Sequence, residues 1–180
     1  MIAAITGPIG AGKSTVLIRL RAALQERGRT CGGVITQRLY ENNERIGYSL
    51  LCADGGLVRP LMLKADRITP DQEKDCLPFF CFRFFRQALA QGNAAIRAGL
   101  GADVLFIDEI GLWELDGGGW AQSLPLLHDR AGTAVLGLRS GIADALQERF
   151  QFSFAGLVEV APGKADDAYV QLLRILDHQN

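Results

Sequence analysis

Gly7-Pro8-Ile9-Gly10-Ala11-Gly12-Lys13-Ser14 decides how this 180-residue chain is read. Glycines at this spacing let successive backbone N–H groups turn inward and line a concavity for anionic oxygens. A helix that begins where such a loop ends turns its positive dipole end on the same anion. Lys13 then reaches the β and γ phosphates as a point charge, and the Ser14 hydroxyl is placed to ligate Mg²⁺. Both flanks agree. Residues 2–6 form the short apolar run of a buried strand, and residues 14–27 carry Val16, Leu17, Leu20, Ala23 and Leu24 at amphipathic-helix spacing. Gly7, Pro8, Ile9, Gly10, Ala11, Gly12, Lys13, Ser14 and Thr15 are therefore expected to bind a nucleoside triphosphate, ATP or GTP, with Mg²⁺ as cofactor.

A second acidic site lies far along the chain. Val104-Leu105-Phe106-Ile107-Asp108-Glu109 is an apolar strand that ends in two acids. In proteins with such a phosphate loop a strand-end Asp serves the Mg²⁺ shell, which assigns Asp108 to the metal beside Ser14. A carboxylate directly after it can orient or deprotonate a water in line with the γ phosphate, which assigns Glu109 to catalysis and favours hydrolysis. Arginine stabilises charge developing on the transferred group. Arg139, at the end of an apolar strand, is expected at the catalytic end of the sheet; Arg38 and Arg45 flank a hairpin tip and can fold over the nucleotide.

Elsewhere the pattern alternates. Strands are expected over 30–36, 46–53, 57–63, 103–108, 133–138 and 157–160, and helices over 86–100, 120–129, 142–150 and 166–178. Residues 41–44 read as a hairpin tip, Pro60 reads as an edge-strand proline, and residues 64–78 read as a loop with helical turns. Strands alternating with helices imply a three-layer α/β fold, a mostly parallel sheet with an antiparallel edge hairpin, in one domain over 1–180. Residues 79–85 hold five of the nine phenylalanines and read as core under the sheet. The glycines at 117–119, between Trp113 and Trp120, fit either a moving lid or a plain connection.

Composition limits the partners. Net charge is -1, with fifteen Arg and four Lys, so neither nucleic acid nor an anionic membrane is an expected partner. No apolar run reaches the ~18 residues of a membrane span. Cys31, Cys52, Cys76 and Cys81 show no CxxC spacing and read as reduced thiols, which with the lack of a signal sequence points to the cytoplasm. His128 and His178 are far apart and have no metal-ligand neighbours at the right spacing. A protein partner is possible on this reading but nothing in the chain points to one.

Three blocks resemble a known family, the small nucleoside-triphosphatases of the cancer-related nucleoside-triphosphatase type. They are Ile5-Thr6 with the loop that follows, Gly33-Val34-Ile35-Thr36 through Arg45-Ile46-Gly47-Tyr48, and Ile107-Asp108-Glu109-Ile110-Gly111-Leu112-Trp113-Glu114-Leu115. The last is similar to the family's Asp-Glu-Ile-Gly-x-Met-Glu-Leu, with Trp113 in place of Met. The resemblance implies a RecA-like P-loop core and Mg²⁺-dependent hydrolysis of NTPs with loose base selectivity. It places Gly7 to Ser14 on phosphate, Asp108 at the metal and Glu109 on water; Glu114 matches without an assigned role. The chain departs from the family at Arg139-Ser140-Gly141 and at Ala161-Pro162-Gly163-Lys164-Ala165-Asp166, which stands where the family carries an Asn-Arg-Asp-like segment. An adapter that binds nucleotide and acts through a partner, like those of molybdopterin-dinucleotide assembly, is the alternative. A small-molecule kinase ranks below it, for want of an Arg-rich lid segment.

Overall fold

The computed structural model describes residues 1–56 and 58–177. The start of the strand expected at Leu57 and the helix end at His178 lie outside the described residues.

Strand β1 (Ile2–Gly7) runs into the glycine loop and then α1 (Lys13–Glu26). A long hairpin follows, β2 (Cys31–Glu41) and β3 (Glu44–Cys52), then β4 (Val58–Lys64), a short α2 (Pro70–Glu73) and a second hairpin, β5 (Cys76–Phe79) with β6 (Phe82–Phe85). After α3 (Arg86–Ala98) come β7 (Val104–Ile110), the one-turn α4 (Leu112–Leu115), β8 (Thr133–Arg139), α5 (Ala143–Phe150), β9 (Gly156–Glu159) and α6 (Ala165–Asp177). Among the described residues these strands form one sheet in the order β5-β6-β4-β3-β2-β7-β8-β1-β9. The half β2-β7-β8-β1-β9 is parallel. The other half is antiparallel, so the expected edge hairpin is extended into a wing of four further strands.

Alternation along the buried strands sets the layers. In β7, Val104 and Phe106 face a core shared with Leu17, Leu20 and Leu24 of α1 and Leu172 of α6. Leu105 and Ile107 face the opposite core, with Ile96 of α3, Leu146 of α5 and Leu124 from the segment between α4 and β8. A strand covered on both faces must be apolar throughout, and Val-Leu-Phe-Ile is. The parallel strands thus point their carboxyl ends, and Gly7, Asp108 and Arg139 with them, toward one edge of the three-layer body.

Four expectations are corrected. Pro60 does not sit on an edge strand, because β4 lies between β3 and β6. It is tolerated because β6 pairs only with Met62, Leu63 and Lys64, which leaves the Pro60 end of β4 unpaired on that side. The segment at residues 120–129 is not an α-helix but a 3-10 segment, Ala121–Leu127, since Pro125 inside it supplies no N–H. Residues 79–85 are not a segment under the sheet: they build the β5–β6 hairpin at its far edge. The loop at 64–78 also contains a strand, β5, which a Pro-bearing polar stretch hides.

Candidate active site

The loop after β1 wraps the start of α1. Gly12, at φ 104°, precedes the helix, and no side chain caps the helix N-terminus, so its first-turn N–H groups stay open to an anion. Lys13 is buried, and its Nζ donates to the carbonyls of Gly7 at 2.8 Å and Pro8 at 3.2 Å. Burial lowers its pKa, while the carboxylates of Glu109 and Asp108 pull it back up. The ammonium is therefore held in place by the loop it serves.

Asp108 is fully buried. Its Oδ2 accepts from the Thr36 backbone N–H at 3.1 Å and the Thr36 hydroxyl at 3.0 Å, and its Oδ1 accepts from the Glu109 N–H at 2.8 Å. The next residue breaks the ladder. β7 and β8 shift register between Ile107 and Ile110, and Glu109 takes φ 60°, a left-handed conformation rare for a residue with a side chain. The bulge turns Glu109 out of the strand and into the cleft. Desolvation by the cleft walls, then the Asp108 carboxylate, push its pKa up to about 7; Lys13 and Arg38 pull in the opposite direction. A carboxyl poised near neutrality is suited to general-base work.

The cleft is a cavity of about 930 Å³ between the glycine loop and the antiparallel wing. Gly10, Gly12, Lys13, Ser14, Thr15, Ile9, Glu109 and Arg139 line it, as do Arg38 and Arg45. The structure therefore gathers most of the expected phosphate loop, the carboxylate expected to act on water, Glu109, and all three candidate arginines around one space. Asp108 does not line it, since it lies behind Thr36 and does not reach the surface of the cavity, and neither do Gly7, Pro8 and Ala11 of the loop. Thr36, the last residue of the Gly33-Val34-Ile35-Thr36 block, is not among the residues expected at the site. It bridges Asp108 to the cleft wall.

Glu114 receives a role here. It is buried, and its Oε2 accepts from Gly111 N–H at 2.7 Å while its Oε1 accepts from Trp120 N–H at 3.2 Å. The Trp120 indole N–H in turn donates to the Asp108 carbonyl at 3.0 Å. Two of the three glycines at 117–119 are packed closely: a Cβ on Gly118 would fall 1.9 Å from Trp113 Nε1 and one on Gly119 would fall 1.9 Å from Glu114 Oε1, whereas one on Gly117 would meet nothing within 4 Å. Glu114 thus clamps the loop that supports the Asp108-Glu109 bulge. Replacing it with Ala leaves two buried donors unpaired and should cost about 2–4 kcal/mol, read as a lower urea midpoint. Burial also raises the Glu114 pKa to about 7, against the lowering pull of those N–H bonds. The folded chain then holds more protons than the unfolded one between the ordinary carboxyl range and pH 7. Its contribution to stability falls as pH rises through that window. Glu114→Gln should flatten this part of the stability profile.

Among the described residues no group of three His, Cys, Asp or Glu side chains is arranged to hold a metal, and no helix is long and apolar enough to cross a membrane. Cys31 and Cys76 are buried thiols and Cys81 is an exposed one.

Comparison with known proteins agrees with this geometry. The chain is 28% identical over 132 residues to the nucleoside-triphosphatase THEP1 of Methanopyrus kandleri, covering 73% of this chain and 69% of that protein. It is 26% identical over 139 residues to the human cancer-related nucleoside-triphosphatase, covering 74% and 72%. Its fold matches the solution structure of a human cancer-related nucleoside triphosphatase with a TM-score of 0.75 at 21% identity, over 99% and 98% of the two chains. It matches the crystal structure of THEP1 from Aquifex aeolicus at 0.68 and 19%, over 98% and 99%. The family described as NTPase matches residues 2–137, which take in the glycine loop, Thr36, the Asp108-Glu109 bulge and Glu114, and the chain belongs to that family.

Proposed function

We propose that this protein hydrolyses nucleoside triphosphates, ATP and GTP among them, to the diphosphate and phosphate with Mg²⁺ as cofactor. The observation that carries the reading is that Lys13 and Glu109 line one cavity at the carboxyl ends of β1 and β7, the two parallel strands that flank β8. The loop N–H groups and the α1 N-terminus hold the phosphates, and Lys13 draws charge from the β and γ oxygens. The Glu109 carboxylate accepts a proton from a water as its oxygen bonds to the γ phosphorus. The bond from that phosphorus to the β–γ bridging oxygen breaks, and the diphosphate leaves. Arg38, which lies against the loop at Gly10, and Arg139 stabilise the charge that develops.

The donor set suits Mg²⁺. That ion takes one or two carboxylates and completes its shell with phosphate oxygens and waters. The Ser14 hydroxyl at the cavity wall would hold it, with the charge of the buried Asp108 carboxylate behind Thr36, and it would neutralise phosphate charge. The free thiols and the near-neutral charge fit a reducing cytoplasmic setting. The test is phosphate release from ATP, GTP, CTP and UTP. Release is expected from each with Mg²⁺ and should be abolished by EDTA and restored by Mg²⁺. No release from any of the four would overturn the reading.

A further inference from the structure

The cavity is larger and more positive than hydrolysis requires. Five cations line it, Lys13, Arg38, Arg45, Arg59 and Arg139, against one carboxylate, Glu109. Among the described residues none of the five is in an ion pair. Two of the five, Arg45 and Arg59, stand on the wing. Arg45, on β3, lays its guanidinium 5.4 Å from the Tyr48 ring and 5.6 Å from the Phe82 ring, with an N–H donated to the Tyr48 hydroxyl at 3.0 Å. Arg59, on β4, donates to the side chains of Gln87 and Gln91, and its Nε–H is buried without a partner. Neither guanidinium meets an anion in the chain itself.

Position adds to charge. In-line attack requires the attacking group to lie opposite the β–γ bridge, so Glu109 marks the attack side of the triphosphate. The wing end of the cavity lies on that side, beyond β2 in the sheet. A water molecule needs neither the space nor the rings found there.

Strain points to the same place. Among the described residues five other than glycine have positive φ. Asn42 and Asn43 form a hairpin tip and Gln151 ends α5, where such geometry is ordinary. The remaining two, Glu109 and Phe80, both line this cavity. Phe80 takes φ 49° at the first position of the two-residue turn between β5 and β6, where glycine is the favoured residue, and the residue is 86% exposed. Strain of this kind is retained where the side chain has a use.

We infer that the wing end of the cavity is a second ligand site, for a small aromatic anion. Its ring lies among Phe80, Tyr48 and Phe82, and its phosphate or carboxylate meets Arg45 and Arg59. The inference rests on the triphosphate occupying the Lys13 end, so the test begins with that end filled.

The protein is saturated with Mg²⁺ and a non-hydrolysable ATP analogue carrying an imido β–γ bridge, and phenyl phosphate is titrated in by calorimetry. Phenyl phosphate should bind once per loaded chain, at least about tenfold more tightly than glycerol 3-phosphate or benzyl alcohol. Phe80→Gly and Arg59→Ala should each weaken that binding about tenfold while leaving the affinity for the ATP analogue unchanged. Phe80→Gly relieves the turn and should melt no lower than the parent, so lost binding there is not lost folding. Binding only to the unloaded protein, binding equal to the two controls, or binding indifferent to Phe80→Gly would each overturn the inference. Failure of the ATP analogue to bind at all would instead overturn the proposed function, and this inference with it.

Discussion

Glu109→Gln is expected to lower turnover about 10²–10⁴-fold while leaving nucleotide affinity unchanged. Gln has the shape of Glu and can occupy the same bulge at φ 60°, so the walls of the cleft stay in place. What it loses is the ability to accept a proton from the attacking water. Desolvation and the neighbouring Asp108 carboxylate hold the Glu109 pKa at about 7, and the carboxylate is the active form. The wild-type kcat/KM should therefore rise with pH through about 7, and the variant's residual rate should not follow that rise. Phosphate release by the variant at the wild-type rate would remove Glu109 from the role of base. Lost binding of the ATP analogue would mean that Glu109 shapes the cleft rather than acting on water.

Gly137→Ala should damage both stability and activity, although residue 137 touches no nucleotide. Gly137 lies in β8 opposite Ile5 of β1, at the centre of the parallel half-sheet. A Cβ there would fall 2.1 Å from Asp108 Oδ1 and 3.1 Å from Leu17 Cδ1. The carboxylate has nowhere to retreat, because Thr36 holds one oxygen and the Glu109 N–H holds the other. Overpacking of this kind costs about 1–3 kcal/mol. Displacement of Asp108 and the bulge beside it, even by about an ångström, is enough to cost about 10²-fold in rate. Gly101→Ala is the control, since a Cβ there meets nothing within 4 Å. Urea unfolding and phosphate release on the same two variants separate the effects. A Gly137→Ala protein with parent-like stability and rate would show that Asp108 is not held as tightly as its three hydrogen bonds imply.

The parts of this molecule legible from sequence are those whose chemistry is local. A phosphate loop needs glycines and one lysine within eight consecutive residues, and a strand buried on both faces needs an unbroken apolar run. Residues 7–14 and 104–107 meet those demands within their own segments, so the three-layer parallel core and the two halves of the nucleotide end follow from reading them. The glycines at 118 and 119 are a contrasting case. Alone they suggest mobility, and only the Trp113 ring and the Glu114 carboxylate packed against them show why no larger residue fits.

The antiparallel wing was the least legible part. β5 is four residues long and includes Pro78, and β6 is a phenylalanine-rich segment that reads as core. Their pairing with each other and with β4 depends on cross-strand contacts that no local pattern encodes. Only the tertiary structure brings Arg38, Arg45 and Arg59 from β2, β3 and β4 to one cavity with Lys13 and Arg139. Fifteen arginines are individually indistinguishable in a sequence, and what selects these is which strand is neighbour to which. The same holds for Glu109. The sequence alone determined that an acid pair ends β7, because the residue types and the apolar run before them state it. The tertiary structure decided that the first acid is sealed behind Thr36 while a bulge against β8 turns the second into the cleft, because register between strands is a property of pairs of strands and not of either one.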